Sequence, residues 1–374
     1  MPLQPGREFL PTMENLTYNS ETTSLKYRVD SFTTSFEGAS EDFIILHVRL
    51  RGRLLHIDIS LSNFRNSPSM VRAFHKYLEA ARSSFDTQDS DLMYDLFDWA
   101  TKPFLPLLKN QGPVPRIIIQ APATLQSFLY PETFDCEFRA VDDKCIPECI
   151  QRQEIQEAQE LSELGEEFVH LKAKLQSVCP SKVQICSDYP DDEPDLPDAQ
   201  PHRVCVDGQM VFFKSANESS LRDTINAIKK YLRIADLGLD IRTSRLHGIV
   251  ADDNNPLIGL LFNHIDEEDR LQFAIKPSTT ATLKHQWSTQ ITDNLTRLHR
   301  EGVVWGDARP ANILIDKHSN AWIIDFEGGY TEGWVDCDRA GTVVGDLQGL
   351  ANIVNFIFKE KTVSEYSDDE YSTR

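Results

Sequence analysis

Hydrophobic and polar positions first fall into a regular pattern at residues 43–59 (FIILHVRLRGRLLHIDI), a β-branched, partly alternating stretch centred on Arg51-Gly52 that predicts a β-hairpin. Residues 1–40 ahead of it are polar, rich in Ser and Thr, and read as a flexible leader. Apolar residues at three-and-four spacing then predict helices over 68–83 and 91–108, with Pro103 and Pro106 kinking or ending the second. Short apolar runs predict strands at 116–120 and 134–140, the latter closed by a turn at Val141-Asp142-Asp143. The longest helical pattern, 153–177, is dense in Glu and Leu and interrupted only by Gly165; it reads as a solvated connector, with a partner-binding helix as the alternative. Residues 187–201 (SDYPDDEPDLPDAQP) carry acids and prolines with no base, so they predict a linker or exposed loop.

Beyond that stretch the pattern starts afresh. Strands are expected at 203–206 and 210–214 around Asp207-Gly208, the strongest hairpin signal in the chain, and a helix at 219–234. Strands at 246–251 and 257–264 flank the turn-prone Asp252-Asp253-Asn254-Asn255-Pro256, and a helix follows over 282–301. The organisation expected is a leader (1–40), an α+β N-terminal domain with its connector helix (41–185), an acidic proline-rich linker (186–201), a second α+β domain (202–360) and a disordered tail (361–374).

Composition narrows the function classes. The 374 residues suit two globular domains, and a formal net charge of -20 provides no positive field for phosphate backbones, so no nucleic-acid partner is expected. The chain has no apolar run of about eighteen residues and no signal-peptide pattern, which gives the expectation of no membrane partner and of an intracellular, cytoplasmic protein. Seven scattered cysteines read as reduced thiols, and Cys145 with Cys149 makes a poor zinc site. His47 and His56, facing each other across the first hairpin, read as strand surface.

The chemistry concentrates in residues 303–329 (VVWGDARPANILIDKHSNAWIIDFEGG). Residues 313–315 and 322–324 can pair around a turn at 316–320, which would bring Asn312 and Asp325 to one edge, where two oxygen ligands suit a divalent cation. Phosphoryl transfer needs such a site, a carboxylate to orient the attacking hydroxyl, and a cation on the phosphates. Asp307 supplies the carboxylate. Trp305, Trp322 and Trp334 read as core, and Glu327 as either a solvated loop residue or a third acid near the metal.

The run Trp305-Gly306-Asp307-Ala308-Arg309-Pro310-Ala311-Asn312, followed by Asp325-Phe326-Glu327, resembles the catalytic loop and metal motif of the protein kinase-like superfamily. With the glycine- and tryptophan-containing stretch after it and Gly345-Asp346-Leu347-Gln348-Gly349, it is most similar to fungal protein kinase-like proteins with an extra N-terminal domain. The resemblance implies a protein kinase-like bilobal fold over 202–360 with a shortened C-terminal lobe, and ATP and Mg²⁺ as cofactors. It further implies Lys214 on the nucleotide phosphates, adenine at the backbone near Phe262, Asn263 and His264, and Mg²⁺ on Asn312 and Asp325. Asp307 is the expected catalytic acid–base, Arg309 the cation beside the γ-phosphate, and Asp346 a buried brace of the catalytic loop.

The sequence departs from that pattern in four ways. Trp305-Gly306 replaces the His-Arg before the aspartate, and no glycine-rich loop precedes residue 203. The helix acid that should pair with Lys214 is ambiguous among Glu218, Asp223 and the uncharged Asn226, and little chain follows Asp346. The expected function is ATP-dependent phosphotransfer to a hydroxyl of a protein Ser or Thr. The alternatives are a small-molecule kinase of the choline or aminoglycoside type, which also carries a glycine before the aspartate, and a pseudokinase-like scaffold.

Overall fold

The computed structural model describes residues 16–18, 27–36, 38–50, 52–83, 90–110, 123–152, 165–186, 201–216, 221–238, 240–253 and 256–359. The strand expected at 116–120, the start of the helical pattern at 153–177, residues 187–200 of the linker and the tail lie outside them. The chain is mixed α+β and divides into two compact units, Met1–Glu157 with Pro180–Asp207, and Ala158–Cys179 with Gly208–Arg374.

In the first unit the alternating stretches become strands β1 (Leu16–Tyr18), β2 (Tyr27–Thr34), β3 (Phe43–Leu50), β4 (Arg53–Ser60), β5 (Phe64–Arg65), β6 (Glu132–Val141) and β7 (Lys144–Gln151). Their order in the sheet is β1-β2-β3-β4-β6-β5, with β7 paired to β6. Alternation puts Ile44, Leu46 and Val48 of β3 and Leu55, Ile57 and Ile59 of β4 on one buried face. Helices α1 (Pro68–Ser83) and α2 (Ser90–Thr101) contribute Phe74, Leu78, Ala81, Met93, Leu96 and Phe97 to the same core. Each large side chain so buried contributes roughly 1.5–3 kcal/mol. The chain passes through a 3-10 turn at Lys102–Phe104 into α3 (Leu105–Asn110), so the helix expected over 91–108 is broken where its prolines sit. A short α4 (Leu125–Leu129) is capped by the Thr124 side chain.

Residues 27–34 are a strand and not flexible leader: Tyr27 is fully buried and donates its hydroxyl to Asp98 Oδ1 at 2.6 Å. The expectation that all thiols are reduced fails for Cys136 and Cys149, which are joined as a disulfide. They become opposite partners because Asp142 and Asp143 (φ 50° and 61°) turn β7 back along β6.

The chain then enters the second unit with α5 (Gly165–Lys172) and β8 (Ser177–Val178), and returns to the first for the antiparallel pair β9 (Gln184–Ile185) and β10 (Arg203–Val206). The helix expected to run to 177 ends at Lys172, since Ser177 and Val178 pair in parallel with the strand at 246–250. Phe168 is fully buried in the second unit's core, so this stretch belongs there and not with the N-terminal domain.

After the Asp207-Gly208 turn (φ 50° and 81°) the second unit contains β11 (Gln209–Ser215), α6 (Leu221–Asp236), β12 (Leu246–Val250), β13 (Gly259–Asn263) and β14 (Glu267–Arg270). It continues with α7 (Leu271–Ala274), α8 (Ala281–Arg300), β15 (Ile313–Asp316), β16 (Ala321–Ile323) and α9 (Val343–Phe358). Strands β8, β12, β13 and β11 are neighbours in that order, while β14, β15 and β16 form a small second sheet. Ala227, Ile228 and Ile234 of α6, Trp287, Ile291 and Leu295 of α8, and Ile353 and Ile357 of α9 meet in one core with Trp305 and Phe326. Gly349 lets α9 approach closely: a Cβ there would lie 2.5 Å from the Ala308 carbonyl oxygen. No described helix is long and apolar enough to cross a membrane.

On the first unit's sheet, Ser31 Oγ lies 2.8 Å from His47 Nδ1, and the His47 and His56 rings stand edge to face at 4.5 Å. Burial, then the neighbouring His47, lowers the His56 pKa to about 4, and burial lowers that of His47 as well. An unfolded imidazole takes up its proton near 6.5, so unfolding binds protons between that pH and about 4, and stability falls as pH is lowered through this window. Denaturant midpoints measured from pH 7 to 4.5 should therefore fall more steeply for wild type than for His56→Gln, by about one proton's worth of slope. Parallel curves would contradict the assignment.

Candidate functional site

The β15–β16 hairpin sets the geometry. Ile313 faces Ile323 and Ile315 faces Ala321, and the Ile324 amide donates to the Asn312 carbonyl at 3.1 Å, so Asn312 and Asp325 leave the hairpin at the same end. Asn312 is buried in a 3-10 turn, and its Nδ2 donates both to the Asp307 carbonyl oxygen (3.0 Å) and to Asp307 Oδ2 (2.8 Å). That spends the amide's donors on Asp307 and leaves Oδ1 as its oxygen for a cation. Asp307 is 8% exposed and also accepts from Thr331 Oγ1 at 3.4 Å. Arg309 Nε lies 3.0 Å from Asp307 Oδ2, so this cation offsets the charge of the aspartate beside it.

Lys214, near the end of β11, places Nζ 2.9 Å from Asp325 Oδ1 and 3.1 Å from Glu327 Oε2. Burial works against its charge, but the two carboxylates outweigh it and hold the ammonium above the ordinary lysine pKa. Burial raises the Glu327 pKa, with Lys214 opposing and Asp325 adding to the rise. Asp325 itself has φ 61°, a backbone conformation that non-glycine residues rarely hold and that the surrounding contacts must maintain.

Glu327 is therefore neither a solvated loop residue nor remote, and it takes the place expected of a helix acid. Asn226 instead accepts from Lys229 Nζ at 3.2 Å, Asp223 makes no ion pair with Lys214, and Glu218 lies outside the described residues. The sequence signal was a lone aromatic between two acids, Asp325-Phe326-Glu327; in the structure Phe326 is fully buried and both acids reach Lys214.

Asp346 ties the group together. Its Oδ2 accepts from the Trp305 amide and its Oδ1 from the Gly306 amide, each at 2.7 Å, and Oδ2 also lies 2.8 Å from His299 Nε2. Trp305 is fully buried, with Nε1 donating to the Ile324 carbonyl at 2.8 Å. Lys230 of α6, to which no sequence pattern pointed, donates to the carbonyls of Trp305 (3.3 Å) and Phe326 (2.9 Å), and burial lowers its pKa.

Of the residues expected at the site, Asp307, Arg309 and Asn312 form one contact group and Lys214 and Asp325 another. Thr331 and Gly329, in the segment that follows Asp325, both approach the first group: Thr331 bonds Asp307, and a Cβ on Gly329 would lie 3.6 Å from Asp307 Oδ2. Phe262 is buried and, among the described contacts, is connected to the Asp325 loop through Tyr231, whose ring stands 5.0 Å from that of Phe262 and 5.2 Å from that of Phe326. The neighbouring Asn263 amide is committed to the Arg245 carbonyl at 2.9 Å. Among the described contacts, none joins His264 to the group.

Among the described residues no group of three His, Cys, Asp or Glu converges as a ready-made metal cage. Asn312 Oδ1 and the Asp325 carboxylate are two hard oxygen donors, which fits a cation such as Mg²⁺ that keeps waters and is completed by substrate phosphates. No protein-family model matches the chain, and no curated protein matches it.

Asp346→Asn replaces one of two accepting oxygens with an amide and leaves a buried backbone N–H facing a donor. The expected cost is about 1–3 kcal/mol in urea unfolding. An unchanged midpoint would show that the Trp305 and Gly306 amides do not depend on it.

Proposed function

We propose that the second unit is a protein kinase-like domain, bilobal with a shortened C-terminal lobe, that transfers the γ-phosphoryl group of ATP to a hydroxyl. The observation that carries this reading is the arrangement of Asp307, Asn312, Asp325 and Lys214 about one hairpin. A buried acid is held by an amide, and a second acid is held by a lysine.

Each residue has a role that follows from its contacts. Asp307, fixed by Asn312 and Arg309, orients the acceptor hydroxyl and takes its proton as the new bond forms. Asn312 and Asp325 would hold Mg²⁺, which would supply charge neutralisation on the phosphates. Lys214, kept charged by Asp325 and Glu327, offers its ammonium to the nucleotide phosphates while Glu327 retains it in place. Arg309 limits the repulsion between Asp307 and the incoming phosphoryl oxygens. Adenine would meet the backbone near Phe262 and His264; the commitment of the Asn263 amide to Arg245 leaves that contact to the residues on either side.

The acceptor is read as a protein Ser or Thr. A small amino alcohol, aminoglycoside or sugar is the second reading, favoured by Gly306 and by the short stretch between Asp325 and Asp346.

Transfer from labelled ATP to protein and small-molecule acceptors tests the mechanism. Asp307→Asn should lower the rate about 100-fold or more. The same variant should change nucleotide affinity less than about threefold, because it leaves Lys214, Asn312 and Asp325 in place. Equal rates for wild type and Asp307→Asn would exclude Asp307 as the acid–base.

A further inference from the structure

Helix α6 presents two cations to backbone carbonyls of the segments that carry Asp307 and Asp325. Arg233 Nε donates to the Glu301 carbonyl at 2.7 Å. One turn earlier, on the same helix face, Lys230 Nζ donates to the carbonyls of Trp305 at 3.3 Å and Phe326 at 2.9 Å. The adjacent Lys229 faces elsewhere, bonding Asn226 Oδ1 at 3.2 Å and pairing with Glu167 of α5 at 2.7 Å. Trp305 stands two residues before Asp307, and Phe326 directly follows Asp325. One ammonium therefore bridges the loop of the acceptor acid and the loop of the metal acid.

Gly306 makes room for this bridge. A Cβ there would lie 3.4 Å from Lys230 Nζ and 3.1 Å from Gly328 Cα, and its φ of 100° favours glycine. Burial disfavours the charge on Lys230, while Asp346, Asp223 and Asp325 favour it. The polarity of the connection is also distinctive: Lys214 draws its acids from the loop at 325–327, and the helix contributes a cation in their place.

We infer that Lys230 is a positioning residue: by donating to Trp305 and Phe326 at once it fixes the spacing between the Asp307 and Asp325 loops, and it places that spacing under the control of α6. The catalytic consequence rests on the phosphotransfer reading above; the structural link between the loops does not. Transfer depends on the relative placement of acceptor acid and metal acid at the sub-ångström level, whereas nucleotide affinity depends mainly on Lys214, Asn312 and Asp325.

The test compares full-length wild type, Lys230→Met, which keeps the stem and removes the donor, and Lys230→Arg, which keeps the charge. Amide hydrogen exchange is measured without ligand, and transfer is measured with Mg²⁺-ATP. Lys230→Met should raise exchange about tenfold or more at residues 305–307 and 326–331, with α8 and β12–β13 unchanged, and Lys230→Arg should restore part of the protection. In turnover, kcat should fall about tenfold or more for Lys230→Met with KM for ATP within about threefold of wild type, and Lys230→Arg should recover part of kcat. Unchanged exchange at those loops, or a uniform rise across the whole unit, would overturn the proposal. If Lys230→Met does not fold, Lys230→Gln, which retains a shorter donor, takes its place in both measurements. A wild type that neither binds nor turns over ATP would remove the phosphotransfer reading, and the exchange data would still decide whether Lys230 links the loops.

Discussion

A carboxylate taken out of water costs several kcal/mol unless its oxygens are satisfied, and the second unit is organised around one such group. Asp346 is 2% exposed, and its two oxygens meet the Trp305 and Gly306 amides and the His299 ring. These partners lie at the end of α8 and in the segment leading to Asp307, so one buried charge fixes α8, α9 and that segment with respect to one another. The close approach of α9 to Ala308 that Gly349 allows belongs to the same arrangement. Trp305, packed in the core and bonded to the Ile324 carbonyl, carries the constraint on to the hairpin end where Asp325 emerges.

With that frame in place, the site is largely a matter of electrostatic pairing. Asp307 is neutralised by Arg309 and held by Asn312, and Lys214 is held between Asp325 and Glu327. No carboxylate of the group stands alone, which allows an acidic chain to gather several acids in a confined space. The third cation of the site, Lys230, is spent on carbonyl oxygens, which carry only partial charge, and its contribution is therefore geometric.

Much of this was legible in the sequence, for definable reasons. The hairpin at 313–323, helix α8 and strand β11 are local patterns whose periodicity alone settles their type, and the spacing of Asn312 and Asp325 follows from the hairpin register. The edges of elements and the long-range pairs were not legible. Strand β2 looks polar because its outer face is, and only the burial of Tyr27 and Val29 against the sheet reveals it. The disulfide depends on β7 folding back on β6, which places Cys136 opposite Cys149. Helix α5 ends at Lys172 and does not run to 177 because residues 177–178 are claimed by β12, a tertiary demand that overrides the local helical pattern there. Lys230 gave no signal at all, since a lysine on an amphipathic helix ordinarily marks a solvated face.

Phosphotransfer at this site requires Asn312 and Asp325 to form a cation site that operates together with Lys214. Calorimetric titration of the purified protein with ATP, with and without Mg²⁺ and with Asp325→Ala as the control, addresses this directly. The account predicts binding that requires Mg²⁺ and disappears in the variant. No binding at millimolar nucleotide, or binding that is indifferent to both Mg²⁺ and Asp325, would contradict it.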